Sequence, residues 1–346
     1  MRAIACKSLP SGVLVACLTV SGCESPPVET IQTGYRGTGM VQVDNQEASI
    51  AKRAANQPPA AIPPIPGDET ATAASAYQNV QLLGDLSTGE FNRLMIAITN
   101  WVSPQEGCTY CHSAENFADD SKYTKTVSRR MLEMTRHINS GWKPHVAETG
   151  VTCFTCHRGQ PVPANVWFRD AGPAHAKAYS GNKAGQNAPA FKVGLSSLPN
   201  DPFTFYFDMA DEIRVASAQA LPGGNPHDIM QTEKTYGLMM HLSRSLGVNC
   251  TFCHNSQSFS SWSQSTPQRV TAWHGIRMVR DLNANFLTPM TETFPRNRLG
   301  PLGDAPKLNC ATCHQGAHRP LYGASMLKDY PVLGSSAMSA QGPTAP

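Results

Sequence analysis

The chain has 346 residues, 40% of them hydrophobic, with 27 glycines, 27 prolines and a formal charge of +3. That length suits one large domain or two small ones, and the Gly/Pro content calls for long irregular stretches. No basic run marks a nucleic-acid surface, so that class of partner is excluded.

Arg2 and Lys7 flank a short apolar run from Leu9 to Val20. It is too short to span a bilayer and reads as a signal peptide over residues 1–22. The run ends Val20-Ser21-Gly22-Cys23, small residues before a cysteine, as in the lipobox of bacterial lipoproteins. Leu is commonest where Val20 stands; ordinary cleavage with Cys23 an incidental thiol is the other reading. Lipidation would place a diacylglyceryl group on Cys23, and two acyl chains suffice for stable anchoring to a membrane. Cys6 and Cys17 would leave with the leader.

Residues 23–76 follow as a lipidated arm and linker, rich in Pro and Ala from 44 onward and read as extended. A first core half covers 77–163, a Gly/Ala/Asn/Pro-rich connection 164–200, a second half 201–330, and a tail 331–346. Ser87-x-x-Glu90 is a capping box ahead of Phe91, Leu94, Met95, Ile98 and Val102 on one helical face. Further helices are expected over Lys125 to Ser140, Glu233 to Leu246 with Gly247 as its stop, and Pro267 to about Asn285 with Thr266 as N-cap.

Each of these four helices precedes one C-x-x-C-H motif. The motifs are Cys108/Cys111/His112, Cys153/Cys156/His157, Cys250/Cys253/His254 and Cys310/Cys313/His314. Two thiols three residues apart can each form a thioether with a haem vinyl group, and the next residue is then placed to bind the iron. A redox dithiol or a four-cysteine zinc site has no use for a histidine after every second cysteine. Four such motifs behind an export signal imply four covalently bound haem c groups. With the leader removed, their eight propionates would take the formal charge to roughly −7.

The first cysteines are separated by 45, 97 and 60 residues, which points to an internal duplication. The fold class read from this is mainly α with long irregular segments: a multihaem cytochrome c of two pseudo-symmetric halves, each binding two haems. Leu94-Met95-Ile96-Ala97-Ile98 matches Leu238-Met239-Met240-His241-Leu242, and Met134 to Asn139 matches Met278 to Asn283. An electron-transfer haem fills its sixth position with Met or His; a catalytic one keeps it open. Met95 and Met239 are the candidates at sites one and three. In the second repeat pair Met134 aligns with Met278 and Met131 with Gly275, which cannot bind iron. Met131 is then the candidate at site two, Met134 and Met278 are core residues, and site four needs a donor from elsewhere. His137, His145, His175, His227, His241, His274 and His318 are available, with the loop residue His145 and the helical His274 in front. Arg269, Arg277 and Arg280 are either propionate partners or a solvated helix face.

Several strings are more specific. Trp101-Val-Ser-Pro-Gln-Glu-Gly-Cys108, Arg130-Met-Leu-Glu-Met-Thr-Arg136, Thr266 to Asn283, Thr312-Cys-His-Gln-Gly316 and Gly323 to Leu333 resemble the tetrahaem cytochrome c subunit of purple-bacterial photosynthetic reaction centres. The likeness covers most of the mature chain and is weakest in the Pro/Ala arm and in 164–200. It implies three His/Met haems, with Met95, Met131 and Met239 as the methionine ligands, and one bis-His haem with His145 as the second histidine. It implies a near-linear haem row on the periplasmic face of the inner photosynthetic membrane, carried on the L and M subunits of a complex that includes H. The third-motif haem would lie nearest the bacteriochlorophyll special pair and re-reduce it after photooxidation. The first-motif haem would meet a soluble donor, cytochrome c2 or a high-potential iron–sulfur protein. Such a chain is an electron-transfer protein with no catalytic residues. A periplasmic multihaem oxidoreductase and a non-photosynthetic electron-relay lipoprotein are the alternatives.

Overall fold

The computed structural model describes residues 27–32, 41–68, 70–171, 190–215 and 227–334. The leader, Cys6, Cys17, Cys23, His175 and tail residues 335–346 lie outside the described residues.

Strands β1 (Val28–Gln32) and β2 (Val41–Asn45) form an antiparallel hairpin, Val28 opposite Asn45 and Gln32 opposite Val41. Helix α1 (Gln46–Ala55) follows at once, because the Asn45 side chain accepts from the Ala48 N–H and caps its first turn. Lys52 pairs with Asp44 at 3.1 Å and Arg53 with Glu29 at 2.9 Å, tying the helix to both strands. This part of the arm is therefore folded, where composition alone reads as extended chain. The Pro-rich stretch after it is extended, as prolines without N–H groups require, but it is fastened. Arg93 donates Nε–H to the Ile62 carbonyl at 2.7 Å, and the Ile62 N–H donates to the Tyr330 hydroxyl at 2.9 Å.

After the short turn α2 (Ala73–Ala76), helix α3 (Thr88–Val102) starts at the Ser87/Glu90 capping box. It buries Leu94, Ala97 and Trp101. Helix α4 (Tyr123–Gly141) runs two residues earlier and one later than its sequence signals. Two short helices come next, α5 (Lys143–Val146), with Pro144 in its first turn, and α6 (Cys153–His157). In the second half, Asp228 caps α7 (Ile229–Leu246) and Gly247 ends it at φ +65°. Helix α8 (Pro267–Leu282) passes into a wider turn over Asn283–Leu287, and α9 (Cys310–His314) closes the set. The fold is mainly helical with long irregular segments.

Three apolar clusters hold these elements. Leu83, Leu94, Trp101, Leu132, Tyr330 and Leu333 enclose α3. Met134 and Ile138 of α4 meet Met278 and Leu282 of α8 in the centre, so both repeat methionines are core residues. Phe203, Tyr206, Phe207, Leu238 and Ile276 form the third cluster, and Trp167, from the stretch read as a connection, is 2% exposed within it. The Trp167 N–H donates to the Lys307 carbonyl and its Nε1–H to the Leu308 carbonyl, which fixes the start of that stretch against the second half.

The same polar clamps occur twice along the chain. Asn139 donates to the Val151 carbonyl at 2.9 Å and accepts from its N–H at 2.7 Å; Asn283 does the same to Leu308 at 3.0 and 2.8 Å. Both asparagines are buried, and each replaces water for a backbone unit just ahead of a C-x-x-C-H motif. The Gly159 N–H donates to Trp101 O and the Gly316 N–H to Ser245 O, each at 2.8 Å. These bonds seat α6 on the end of α3 and α9 on the end of α7.

Candidate haem sites

The four motifs come in two backbone forms. Cys108 and Cys250 open 3-10 turns, Gly107–Tyr110 and Cys250–Phe252. The second and fourth motifs are the one-turn helices α6 and α9, each begun by a reciprocal cap, Thr152 with Thr155 and Asn309 with Thr312. The residue after each helical motif, Arg158 or Gln315, is left-handed at φ +50° and +47°.

All four motif histidines turn Nδ1 to a backbone carbonyl. His112 reaches Phe117 O at 2.9 Å and His254 reaches Phe259 O at 3.0 Å; His157 reaches Gln160 O and His314 reaches Ala317 O, both at 2.9 Å. A carbonyl only accepts, so Nδ1 carries the proton and Nε2 is the atom left to bind a metal. Phe117 and Phe259 stack on His112 and His254 at 4.9 and 5.3 Å, fixing the ring planes. Burial lowers the pKa of His157 and His254, and that of His314 to about 4, keeping the ligand form neutral.

Cys153, Cys253 and Cys310 are in the opposite condition to a redox dithiol. Burial pushes Cys153 and Cys310 up to about 12 and Cys253 to about 11. Reactive cysteines are instead lowered by an electropositive setting. Among the described residues no three His, Cys, Asp or Glu side chains gather as a metal cluster, which leaves the zinc reading without a ligand set. Cys156 and Cys313 stand side by side where α6 meets α9, with Cα atoms 4.4 Å apart and the sulfurs paired as a disulfide. That pairing and two haem thioethers are mutually exclusive uses of the same atoms.

Met95, Met131 and Met239 are each half-buried, on α3, α4 and α7, at the margin of one of the three clusters. Thr99 and Thr135 donate to the carbonyls of Met95 and Met131, at 2.9 and 2.8 Å, one turn on in each helix.

For the fourth site the structure separates the histidines. His145, on α5, donates Nδ1–H to Thr271 O at 2.9 Å, the same habit as the motif histidines. Its ring centre lies 6.1 Å from that of His314. Two metal–imidazole bonds of about 2 Å on opposite sides of one ion, plus about 1 Å from each nitrogen to its ring centre, give roughly the same separation. The residues present therefore fit a bis-His haem iron. His137 and His241 spend Nε2 inside the protein, on Asp281 at 2.6 Å and on Ser245 at 3.1 Å. His227 lies against Gln231, His274 against Trp273 and His318 against Phe252.

The arginines of α8 make contacts within the protein. Arg269 donates to Ser261 O and Ser265 Oγ and lies over Trp262 at 4.1 Å; Arg280 donates to the Tyr206 and Asp211 carbonyls. Arg136, the counterpart of Arg280 in the repeat, likewise holds the Leu82 and Val332 carbonyls. Arg277 lies over Trp273 at 4.5 Å.

Neither the Asn139/Asn283 clamps nor the Arg158/Gln315 pair was assigned a role from sequence. The asparagines had a signal, since each falls at the same place in the two repeat strings. The sequence model of the family described as the photosynthetic reaction centre cytochrome C subunit matches residues 24–334. A photosynthetic reaction center cytochrome c subunit of Rubrivivax gelatinosus is 55% identical over 96% of this chain and 90% of its own. That of Thermochromatium tepidum is 52% identical over 96% and 82%, and that of Roseobacter denitrificans 40% over 90% and 87%. The family model spans residues 24–334 and the relatives are 40 to 55% identical over nearly the whole chain, so the chain belongs to the photosynthetic reaction centre cytochrome c subunit family.

Proposed function

We propose that the chain holds four haem c groups and serves the reaction centre as its electron-donating subunit, re-reducing the photooxidised special pair. The observation that carries this reading is the opposition of His145 and His314 across 6.1 Å, a spacing that suits a six-coordinate electron-transfer iron. Bound haem c supplies a one-electron redox centre, and four in a row would relay electrons from a soluble periplasmic donor, cytochrome c2 or a high-potential iron–sulfur protein.

The chain's own residues have these roles. Cys108, Cys111, Cys153, Cys156, Cys250, Cys253, Cys310 and Cys313 form the thioethers. His112, His157, His254 and His314 would ligate the four irons from the motifs, and Met95, Met131, His145 and Met239 would supply the second ligands. The backbone carbonyls on Nδ1 orient the imidazoles and raise their basicity. Methionine ligation raises a haem potential relative to histidine, so the fourth site is the low one in the row. Two pseudo-symmetric halves, each with two haems, account for the doubled clamps at Asn139/Asn283 and at Gly159/Gly316.

The two halves differ at their surfaces. Trp262, Val270 and Trp273 are 46, 49 and 42% exposed beside the third motif. Beside the first motif, Asp120 and Arg129 are instead ion-paired at 2.9 Å. The aromatic face suits a protein partner, here the L and M subunits of a complex completed by H, and the charged end suits transient docking of the donor. A diacylglyceryl group on Cys23 would fasten the subunit to the periplasmic face of the inner membrane. None of the helices among the described residues is long and apolar enough to cross it.

Flash excitation of membranes carrying the complex, with haem oxidation followed optically, tests the role; no haem response to the flash would end it. Intact-mass analysis of the purified subunit tests the cofactors. Four haems with all eight motif cysteines consumed is the expected result, and a reducible Cys156–Cys313 disulfide would limit the count.

A further inference from the structure

Arg158 stands directly after the second motif, at the junction of three separate parts of the chain. Its Nε–H donates to Thr155 O at 3.1 Å in its own helix. One terminal nitrogen donates to Ala55 O at 2.8 Å; the other donates to Asn56 Oδ1 at 3.1 Å and to Cys313 O, in the fourth motif, at 3.4 Å. Gln315 is its counterpart in the repeat and reaches back to Cys156 O at 3.4 Å. The two residues thus cross-link the second and fourth motifs, and Arg158 also holds the N-terminal unit through its guanidinium. Asn56 is fully buried at the same spot, donating to Lys52 O at 2.9 Å and Gln315 O at 3.3 Å. A planar guanidinium with five donors can serve these acceptors at once; an ammonium on a flexible stem cannot keep that fork.

From this geometry we propose that Arg158 is a positioning residue, clamping the hairpin and α1 over the junction of the second and fourth motifs and placing a fixed cation between the haems held there. The inference rests on the four-haem reading above. The clamp keeps water off the junction, and the cation stabilises the electron-rich, reduced state of both neighbouring haems. An arginine guanidinium keeps its charge in proteins, so the clamp brings a permanent cation to this junction.

The test uses the full-length holoprotein and the variants Arg158→Gln, which copies Gln315, and Arg158→Lys. Haem content and intact mass are measured first; a wild type without four haems overturns the underlying reading and not the clamp. With four haems present, Arg158→Gln is expected to speed amide hydrogen exchange in residues 42–57 by roughly tenfold or more. It is also expected to lower the midpoints of the second- and fourth-motif haems while leaving the other two unchanged. Arg158→Lys should restore those midpoints, because the charge is kept, but not the slow exchange. Unchanged exchange in Arg158→Gln, or midpoints that move equally at all four haems or at none, overturns the proposal.

Discussion

Gly275 lies directly against His145: a Cβ on Gly275 would come within 2.5 Å of His145 Cε1 and 3.1 Å of Nε2. In the first repeat the same helix position is Met131. The second copy therefore has no side chain at this place on α8, and His145 of α5, about 130 residues earlier, fills the space. In the proposed four-haem reading, the absent methionine and the second histidine would be two sides of one exchange. Gly275 carries ordinary helical φ, so its role is room and not backbone freedom.

Gly275→Ala is accordingly expected to displace His145 while the helix itself gains propensity by about 1 kcal/mol. The low-spin bis-His signal in electron paramagnetic resonance should be lost or converted at one haem, with the three His/Met signals retained. Alanine tolerated with an intact bis-His spectrum would show that His145 does not depend on this gap.

The buried asparagines make a paired prediction. Asn139 also donates to Leu333 O at 2.8 Å, which Asn283 has no counterpart for. Asn283→Ala strands the buried Leu308 N–H, while the Leu308 carbonyl keeps the Trp167 Nε1–H, and should cost about 1–3 kcal/mol in denaturant unfolding of the holoprotein. Asn139→Ala should cost at least as much. Losses under about 0.5 kcal/mol for both would mean that water replaces the clamps.

These cases show what the sequence could and could not disclose. The haem motifs were legible because thioether chemistry is local: the cysteine spacing and the adjacent histidine are all it needs. The absence of a helix methionine at site four was legible from the Met131/Gly275 alignment. What favours His145 over His274 in the proposed site was not, since it rests on contacts with Thr271, Gly275 and His314, all distant in sequence. The folded arm was missed for a similar reason. Asn45 is a cap signal, but α1 is held by Asp44, Glu29 and Arg158, and composition reports none of those pairings.

Trp273 offers a test of the partner surface. It is exposed, with Arg277 over its ring and His274 against its edge, and in the first half Arg129 takes its place. Trp273→Glu should leave the haem spectrum and melting of the isolated subunit within about 0.5 kcal/mol of wild type, as for surface changes generally. It should weaken co-purification with the remaining reaction-centre subunits by tenfold or more, as loss of a buried aromatic anchor does. Arg129→Glu should have no such effect on assembly. Equal retention of both variants would remove the aromatic face from the interface.

Asp281 sets a pH dependence of stability. Burial opposes its ionised form, but hydrogen bonds from His137 at 2.6 Å, Asn285 at 2.6 Å and Trp142 at 2.7 Å outweigh it and leave the pKa lowered. A carboxyl with a depressed folded-state pKa stabilises fully above its unfolded value, about 3.9, and loses that contribution as the pH falls through the folded one. The pair also fastens the end of α4 and the Trp142 turn to α8, just ahead of His145. Asp281→Asn should therefore destabilise the holoprotein by about 1–3 kcal/mol at pH 7, in line with charge-assisted hydrogen bonds. The gap between variant and wild type should narrow as the pH drops below about 4. Denaturant melts at pH 7, 5 and 3.5 measure this directly, and a gap that stays constant across the series would show that the carboxylate charge contributes nothing to holding α4 on α8.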